Sequence, residues 1–118
     1  MALYTKKLIM TTFQEMLAEM PFDKITVSAL VKRAEGSPNT FYYHYQDIYA
    51  LLDDWFQKQV DALVPAGEPI EWKPVTKNIL RECRAHSKTI YHVFDSLSRD
   101  RLDTLFENFL RSAVQDAE

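Results

Sequence analysis

Residues 38–45 bring many hydrogen-bonding side chains together in one short segment, which reads PNTFYYHY. If this segment is helical, Phe41 and Tyr45 lie four residues apart and share a face, which we expect to be buried. The remaining surface then carries amide, hydroxyl, phenol and imidazole groups. Such groups form hydrogen bonds with the phosphates and base edges of nucleic acids. These surface residues are Asn39, Thr40, Tyr42, Tyr43 and His44.

Two predicted helix starts and a tight turn position this segment. Thr26 suits the cap of a helix over residues 27–34, whereas Ser37 and Pro38 suit the cap and first position of a helix over residues 38–45. Gly36 is expected to take the left-handed backbone conformation in the turn. Two short helices joined in this way predict a helix-turn-helix. The start of its second helix, together with Thr26, would offer hydrogen-bond donors to phosphates.

Longer helices are predicted around this unit. Apolar residues recur every three or four positions over residues 3–20, 48–63, 74–94 and 99–113, with Asp47 as a cap and residues 65–69 as a linker. Pro21 ends the first of these helices. We therefore expect an all-α fold with a helix-turn-helix DNA-binding head over residues 1–47. A short or truncated helical dimerisation or effector region follows over residues 48–118.

Composition narrows the class of protein further. The single cysteine, Cys83, excludes an intrachain disulfide, and no stretch approaches the ~20 apolar residues of a membrane span. Charged residues interrupt the N-terminal apolar stretch, unlike in a signal peptide, so we expect a cytoplasmic protein. The net charge is −3, and all of the acidic excess lies after residue 48. The head is therefore neutral, where a DNA-binding surface is typically basic.

Two segments carry a family resemblance, PFDKITV at residues 21–27 and TFYYHYQDIY at residues 40–49, followed by Leu51-Leu52. They resemble the DNA-binding domain of TetR/AcrR-family transcriptional regulators. FYYH at residues 41–44 is similar to the branch that contains dihydroxyacetone-kinase-associated regulators. The resemblance covers about residues 3–56, and residues 57–118 show no recognisable motif.

The resemblance implies a regulator of transcription, usually a repressor, that binds a palindromic operator in double-stranded DNA as a homodimer. In such dimers the half-sites lie about 34–36 Å apart, or a multiple of that distance. It also implies that a small-molecule effector or protein partner changes the separation of the two reading heads. Carried over by position, the DNA-facing residues are Thr26, Ser37, Pro38, Asn39, Thr40, Tyr42, Tyr43 and His44.

The resemblance also implies separate roles for these residues. Tyr42 and His44 would hold phosphates, while Pro38, Asn39 and Tyr43 are better placed for base edges or thymine methyl groups. Phe41 and Tyr45 are expected in the core, where they do not contact DNA.

The chain departs from the family pattern in several places. The turn usually reads Ala-Gly-Val-Ser, whereas residues 34–37 read AEGS. Many members carry a basic residue where Pro38 stands and a lysine where Ile48 stands, and the basic arm before the first helix is missing. Each lost phosphate contact flattens the salt dependence of binding by about 0.9 in log–log slope. We therefore expect modest DNA affinity or dependence on a partner.

An alternative class is a helical protein-interaction module or co-regulator that kept the fold but binds DNA weakly or not at all. The neutral head and Glu35 favour it, and exposed aromatic residues could contact the partner. The predicted region after the linker has only about two helices, so we do not expect a full effector cavity.

The other candidate sites have fewer of the residues that a functional site needs. Cys83 and His86 could be two metal ligands or a nucleophile–base pair, but no further ligands or orienting group accompany them. We therefore expect neither an enzyme nor a bound cofactor. The acid pairs Asp53-Asp54 and Asp100/Asp103 suit solvated helix faces or caps. Four aromatic residues could line a small pocket, although core positions are favoured for them: Trp55, Trp72, Tyr91 and Phe94.

Overall fold

The computed structural model describes the backbone of residues 2–64 and 71–117 and the side chains of residues 5–64 and 71–111. These residues form helices and no strand, so the all-α prediction is confirmed for the described part of the chain. Helix α1 spans Ala2–Glu19, α2 Val27–Arg33, α3 Pro38–His44 and α4 Ile48–Leu63. Three more follow, α5 over Trp72–Ala85, α6 over Ser87–Phe94 and α7 over Arg99–Ala117. The predicted linker at residues 65–69 lies outside the described residues.

Polar side chains cap the N-termini of three of these helices. The Thr26 hydroxyl accepts a hydrogen bond from the Ala29 N–H at 3.1 Å, and an Asp47 carboxylate oxygen accepts one from Ala50 at 2.8 Å. Ser37 caps α3, and Pro38 occupies its first position. Each cap satisfies a backbone N–H that has no partner within the helix. All three predicted caps are therefore confirmed.

The core runs through both the head and the C-terminal helices. Phe13 and Leu17 of α1 are fully buried in the same cluster as Leu51, Val93 and Leu105. Phe22, in a short 3-10 helix over Phe22–Lys24, closes this cluster together with Ile25. The head therefore shares its core with α4, α6 and α7.

Residues 74–94 do not form the single helix predicted from their apolar pattern. The backbone leaves the helical region at His86, with φ −120° and ψ 39°, so α5 ends there and α6 begins. The break changes the chain direction so that α6 packs against α1. The spacing of apolar residues cannot reveal such a break, because the pattern continues across His86 in the sequence. In the structure Cys83 and His86 of that pattern are exposed, whereas Val75 and Val93 are buried. Within residues 71–117, three helices rather than about two therefore follow the linker.

Candidate nucleic-acid interface

The turn between α2 and α3 has a well-defined hydrogen-bond pattern. The Gly36 N–H donates to the Val31 carbonyl at 2.7 Å, and the Glu35 N–H donates to Lys32 at 3.3 Å. These two bonds form a Schellman motif at the end of α2. The left-handed residue in the motif is Glu35, with φ 57°, so the assignment of that conformation to Gly36 is wrong. Glu35 occupies the position where the family turn has glycine.

Two aromatic side chains attach α3 to the rest of the head. Phe41 is completely buried and Tyr45 nearly so, as predicted from their spacing. The Tyr45 hydroxyl donates a hydrogen bond to Asp54 Oδ2 on α4 at 2.6 Å. Burial, together with this bonded carboxylate, raises the pKa of Tyr45 well above its ordinary value. Lys6 Nζ lies 5.5 Å from the centre of the Tyr45 ring.

The polar residues of α3 lie on the outside of the head. Tyr42 is 54% exposed and Tyr43 is 77% exposed, so neither is a core residue. The ring of Tyr42 also contacts the buried Phe41 edge-on, with centroids 5.3 Å apart. Tyr43 and His44 meet edge-on at 5.0 Å. The remaining candidate residues are all exposed or half-exposed: Thr26, Ser37, Pro38, Asn39 and Thr40.

The hydroxyl groups in this set already have structural partners. Ser37 Oγ lies 3.1 Å from Thr40 Oγ1 and accepts a bond from the Thr40 N–H at 3.4 Å. Thr26 Oγ1 accepts from Ala29 in the same way. A hydroxyl that accepts a capping bond keeps its own O–H for donation. Thr26 can therefore both cap α2 and donate to an external oxygen.

One basic side chain of the head, Arg33, is paired with acidic side chains of the head. The Arg33 guanidinium forms an ion pair with Glu19, and its other terminal nitrogen lies 3.7 Å from Glu15 Oε2. The hydrogen bond from Arg33 lowers the pKa of Glu19, and the same bond raises the pKa of Arg33. Both carboxylates belong to α1, so this cluster fastens α2 to α1. The positive charge of Arg33 is then only partly available to an anion outside.

Two hydrogen bonds connect the head to the C-terminal part of the chain, and one cation–π contact connects α4 to α7. His92 Nδ1 lies 2.7 Å from the Leu17 carbonyl oxygen, which can only accept, so Nδ1 carries the proton. The Ser96 hydroxyl lies 3.3 Å from an Asp23 carboxylate oxygen. The Arg101 guanidinium lies 4.3 Å from the centre of the Tyr49 ring. α6 therefore contacts the end of α1, and α7 contacts the start of α4.

The remaining candidate residues do not form a site together. Cys83 and His86 are exposed, and His86 Nε2 lies 3.3 Å from Glu82. Among the described residues, no group of three His, Cys, Asp or Glu side chains could hold a metal ion. Asp100 and Asp103 are exposed, as predicted.

The prediction of solvated faces or caps is wrong for Asp53 and Asp54. Both are half-buried, and Asp54 is the acceptor for Tyr45. One buried oxygen of Asp53 has no hydrogen-bond partner.

The four aromatic residues expected in the core divide into two groups. Trp72 and Tyr91 are 51% and 64% exposed, so the core prediction is wrong for them. Trp55 is buried and Phe94 half-buried, and both line a cavity of about 700 Å³ bounded by α1, α4, α5, α6 and α7. Sequence reasoning named Trp55 and Phe94 as possible pocket residues but favoured the core, because the walls of the cavity come from five helices and include residues on both sides of the break at His86.

No described helix is long and apolar enough to cross a membrane. Comparison of the chain with protein-family models, with curated proteins and with solved structures gives no match.

Proposed function

We propose that the chain is a DNA-binding regulator of transcription that reads a duplex through α3. The observation that carries the proposal is the division of this helix into two sides. Phe41 and Tyr45 fasten it to α1 and α4, while the side chains that suit DNA recognition are exposed or half-exposed. A recognition helix needs both a rigid attachment and a polar outer surface.

The outer surface has suitable chemistry for each kind of DNA contact. Phenol and imidazole groups on Tyr42 and His44 can donate to phosphate oxygens, and the O–H of Thr26, whose oxygen accepts the capping bond, adds a further donor. The amide of Asn39 can pair with adenine, and the ring of Tyr43 can contact a thymine methyl group. The resemblance to TetR/AcrR-family regulators supports the same assignment.

The proposal includes a symmetric homodimer, in which two copies of α3 enter successive major grooves. Exposed apolar side chains on the C-terminal helices support it, because large apolar groups left in solvent often mark an interface. They are Leu80, Phe106 and Leu110, which are 64%, 51% and 60% exposed. The neutral head and the pairing of Arg33 predict only a modest DNA affinity for one head. Simultaneous binding of both heads of the dimer would raise the overall affinity for DNA.

Selection from a random duplex library at low salt tests the proposal. We expect recovery of a palindrome, with an affinity whose logarithm falls linearly with log salt, by about 0.9 per phosphate contact. Tyr42→Ala should weaken binding by about tenfold or more through loss of its contacts. Tyr91→Ala is the matched control, because Tyr91 is similarly exposed but lies on α6. Absence of any enrichment with folded protein would overturn the proposal.

One observation favours a second candidate function, a protein-interaction module. Arg33 is occupied by Glu19 and Glu15, whereas Tyr42 and Tyr43 present aromatic surface of the kind enriched at protein interfaces. In that case Tyr42→Ala weakens the complex with a protein partner. The unmodified chain then shows no salt-dependent DNA binding.

A further inference from the structure

The outer side of α5 carries a row of basic side chains. Val75 and Ile79 pack into an apolar cluster with α4, and Glu82 and His86 line the cavity, so these four residues mark the inner side of the helix. A residue two positions from an inward residue lies about 200° around the helix, on nearly the opposite side. Five residues have this relation to the inner side, and all are exposed: Lys73, Lys77, Leu80, Arg81 and Arg84.

The four cations among them, Lys73, Lys77, Arg81 and Arg84, form the basic row. None of them belongs to an ion pair with another described residue. The single acidic residue within α5 is Glu82, whose carboxylate lies 3.3 Å from His86 Nε2 on the inner side. The basic row therefore keeps its positive charge, although the whole chain has a net charge of −3.

The spacing of the basic row is unfavourable while the row is uncovered. Lys73, Lys77 and Arg81 follow one another at intervals of four residues, so neighbouring charges lie about one helical turn apart. Like charges at this interval destabilise a helix. From Lys73 to Arg84 the row is about 17 Å long. A partner with negative charges along the same length would remove the repulsion.

Apolar surface accompanies the basic row. Leu80 lies beside it and is 64% exposed, and Trp72, at the start of α5, is 51% exposed. Large apolar side chains in solvent often mark protein interfaces, and tryptophan and arginine are enriched among the residues that dominate binding. A phosphate backbone would neutralise the cations but would offer no apolar surface to Leu80 and Trp72. A protein helix with acidic and apolar side chains offers both.

We propose that the outer side of α5 binds an acidic amphipathic helix of another protein. Carboxylates one turn apart on that helix face the basic row, and its apolar side chains cover Leu80 and Trp72. Complementary charges set the orientation and raise the association rate, while burial of the apolar groups adds affinity. This interaction goes beyond the function proposed above, because it uses α5 and needs no contact between α3 and DNA.

A synthetic peptide serves as the probe. It is a fluorescein-labelled helix of about 18 residues, because shorter helices are marginal in water, with glutamates at intervals of four and leucines beside them. The matched peptide has glutamine at every glutamate position. We expect the glutamate peptide to bind about tenfold more tightly at low salt, measured by fluorescence anisotropy, and added salt to reduce this difference. Equal affinity for the two peptides would overturn the proposal.

Variants of the chain locate the binding surface. Lys77→Glu/Arg81→Glu should weaken binding of the glutamate peptide by about tenfold or more, and Leu80→Ser by about fivefold. Lys24→Glu/Lys32→Glu makes the same change of charge at two exposed lysines of the head and should leave the affinity unchanged. All five positions are exposed, so the variants should keep the circular dichroism of the unmodified chain. Unchanged affinity in both α5 variants would contradict the assignment.

A second copy of the chain and a phosphate-bearing partner are the competing occupants. The proposal assigns Leu80 to the acidic helix and leaves Phe106 and Leu110 for the homodimer. If Lys77→Glu/Arg81→Glu abolishes self-association in sedimentation experiments, a second copy covers the basic row. If duplex DNA or phosphatidylserine vesicles bind through the row more tightly than the glutamate peptide, the partner carries phosphate.

Either of these results overturns the proposal. The peptide assay contains no DNA, so its failure is distinct from failure of the DNA-binding proposal.

Discussion

Glu35 adopts a left-handed backbone conformation in the turn that joins the two short helices. This conformation is unfavourable by about 1–2 kcal/mol for a residue with a Cβ. Glycine adopts it without that steric penalty but loses more conformational entropy on folding. We predict that Glu35→Gly raises the free energy of unfolding by about 1 kcal/mol, measured by urea denaturation. Glu35→Ala removes the charge but keeps the Cβ, so it should give little gain. A destabilised Glu35→Gly variant would refute the assignment of strain to this residue.

Asp53 is a second locally unfavourable residue. Burial raises the pKa of this carboxyl group, with a smaller contribution from Asp47, while Arg101 partly opposes the shift. The folded state therefore binds a proton more readily than the unfolded state, and stability decreases as the pH rises through the pKa of folded Asp53.

We accordingly predict that Asp53→Asn is more stable than the unmodified chain at neutral pH, by less than about 1 kcal/mol because partial exposure screens the charge. This advantage should shrink as the pH falls through that pKa and Asp53 becomes protonated. Thermal unfolding of both proteins over an acidic to neutral pH series measures it. An advantage that grows toward acid pH would contradict the prediction.

At the scale of elements, the position of α3 depends on its C-terminal end. The Tyr45 hydroxyl joins this end to Asp54 of α4, so the bond holds the end of α3 against α4. We predict that Tyr45→Phe lowers the free energy of unfolding by about 1–2 kcal/mol, since a bond to a charged acceptor is lost. Tyr43→Phe removes a hydroxyl from the most exposed tyrosine of α3 and should have no measurable effect. Equal losses in both variants would exclude a specific role for the bond.

Sequence patterns predicted where the helices begin better than how the helices pack against one another. Thr26, Ser37 and Asp47 were predictable because a cap depends on neighbours three residues away. The break at His86 was not, because the apolar pattern continues through it and packing of α6 on α1 decides the backbone direction. In the same way, a two-bond motif at the end of α2 places the left-handed residue one position before Gly36.

At the scale of the molecule, one core connects the proposed DNA-binding head to the C-terminal helices. Leu105 of α7 is 1% exposed and belongs to the same cluster as Phe13. We predict that Leu105→Ala lowers the free energy of unfolding by about 2–5 kcal/mol and that α1 and α7 lose hydrogen-exchange protection together. Glu107→Ala, at an exposed position on α7, should change it by less than about 0.5 kcal/mol. Retained protection in α1 would indicate two independent units.

The candidate interface was more predictable than the cavity. Its residues lie within one stretch of 19 positions, from Thr26 to His44, so helical spacing separates buried Phe41 from exposed Tyr42 and Tyr43. The cavity draws Glu15, Trp55, Glu82 and Phe106 from four separate helices, and only tertiary packing brings them together. The exposure of Trp72 and Tyr91 is likewise a result of packing that the spacing of apolar residues does not contain.

The most direct test of the proposed DNA-binding surface is a backbone-amide NMR spectrum of the chain titrated with duplex DNA at low salt. The duplex recovered by selection is used or, in its absence, one of random sequence. We predict that the largest shifts occur at Thr26 and over residues 37–44, and that added salt reverses them. An unchanged spectrum, or shifts confined to α5 and α7, would contradict DNA recognition through α3.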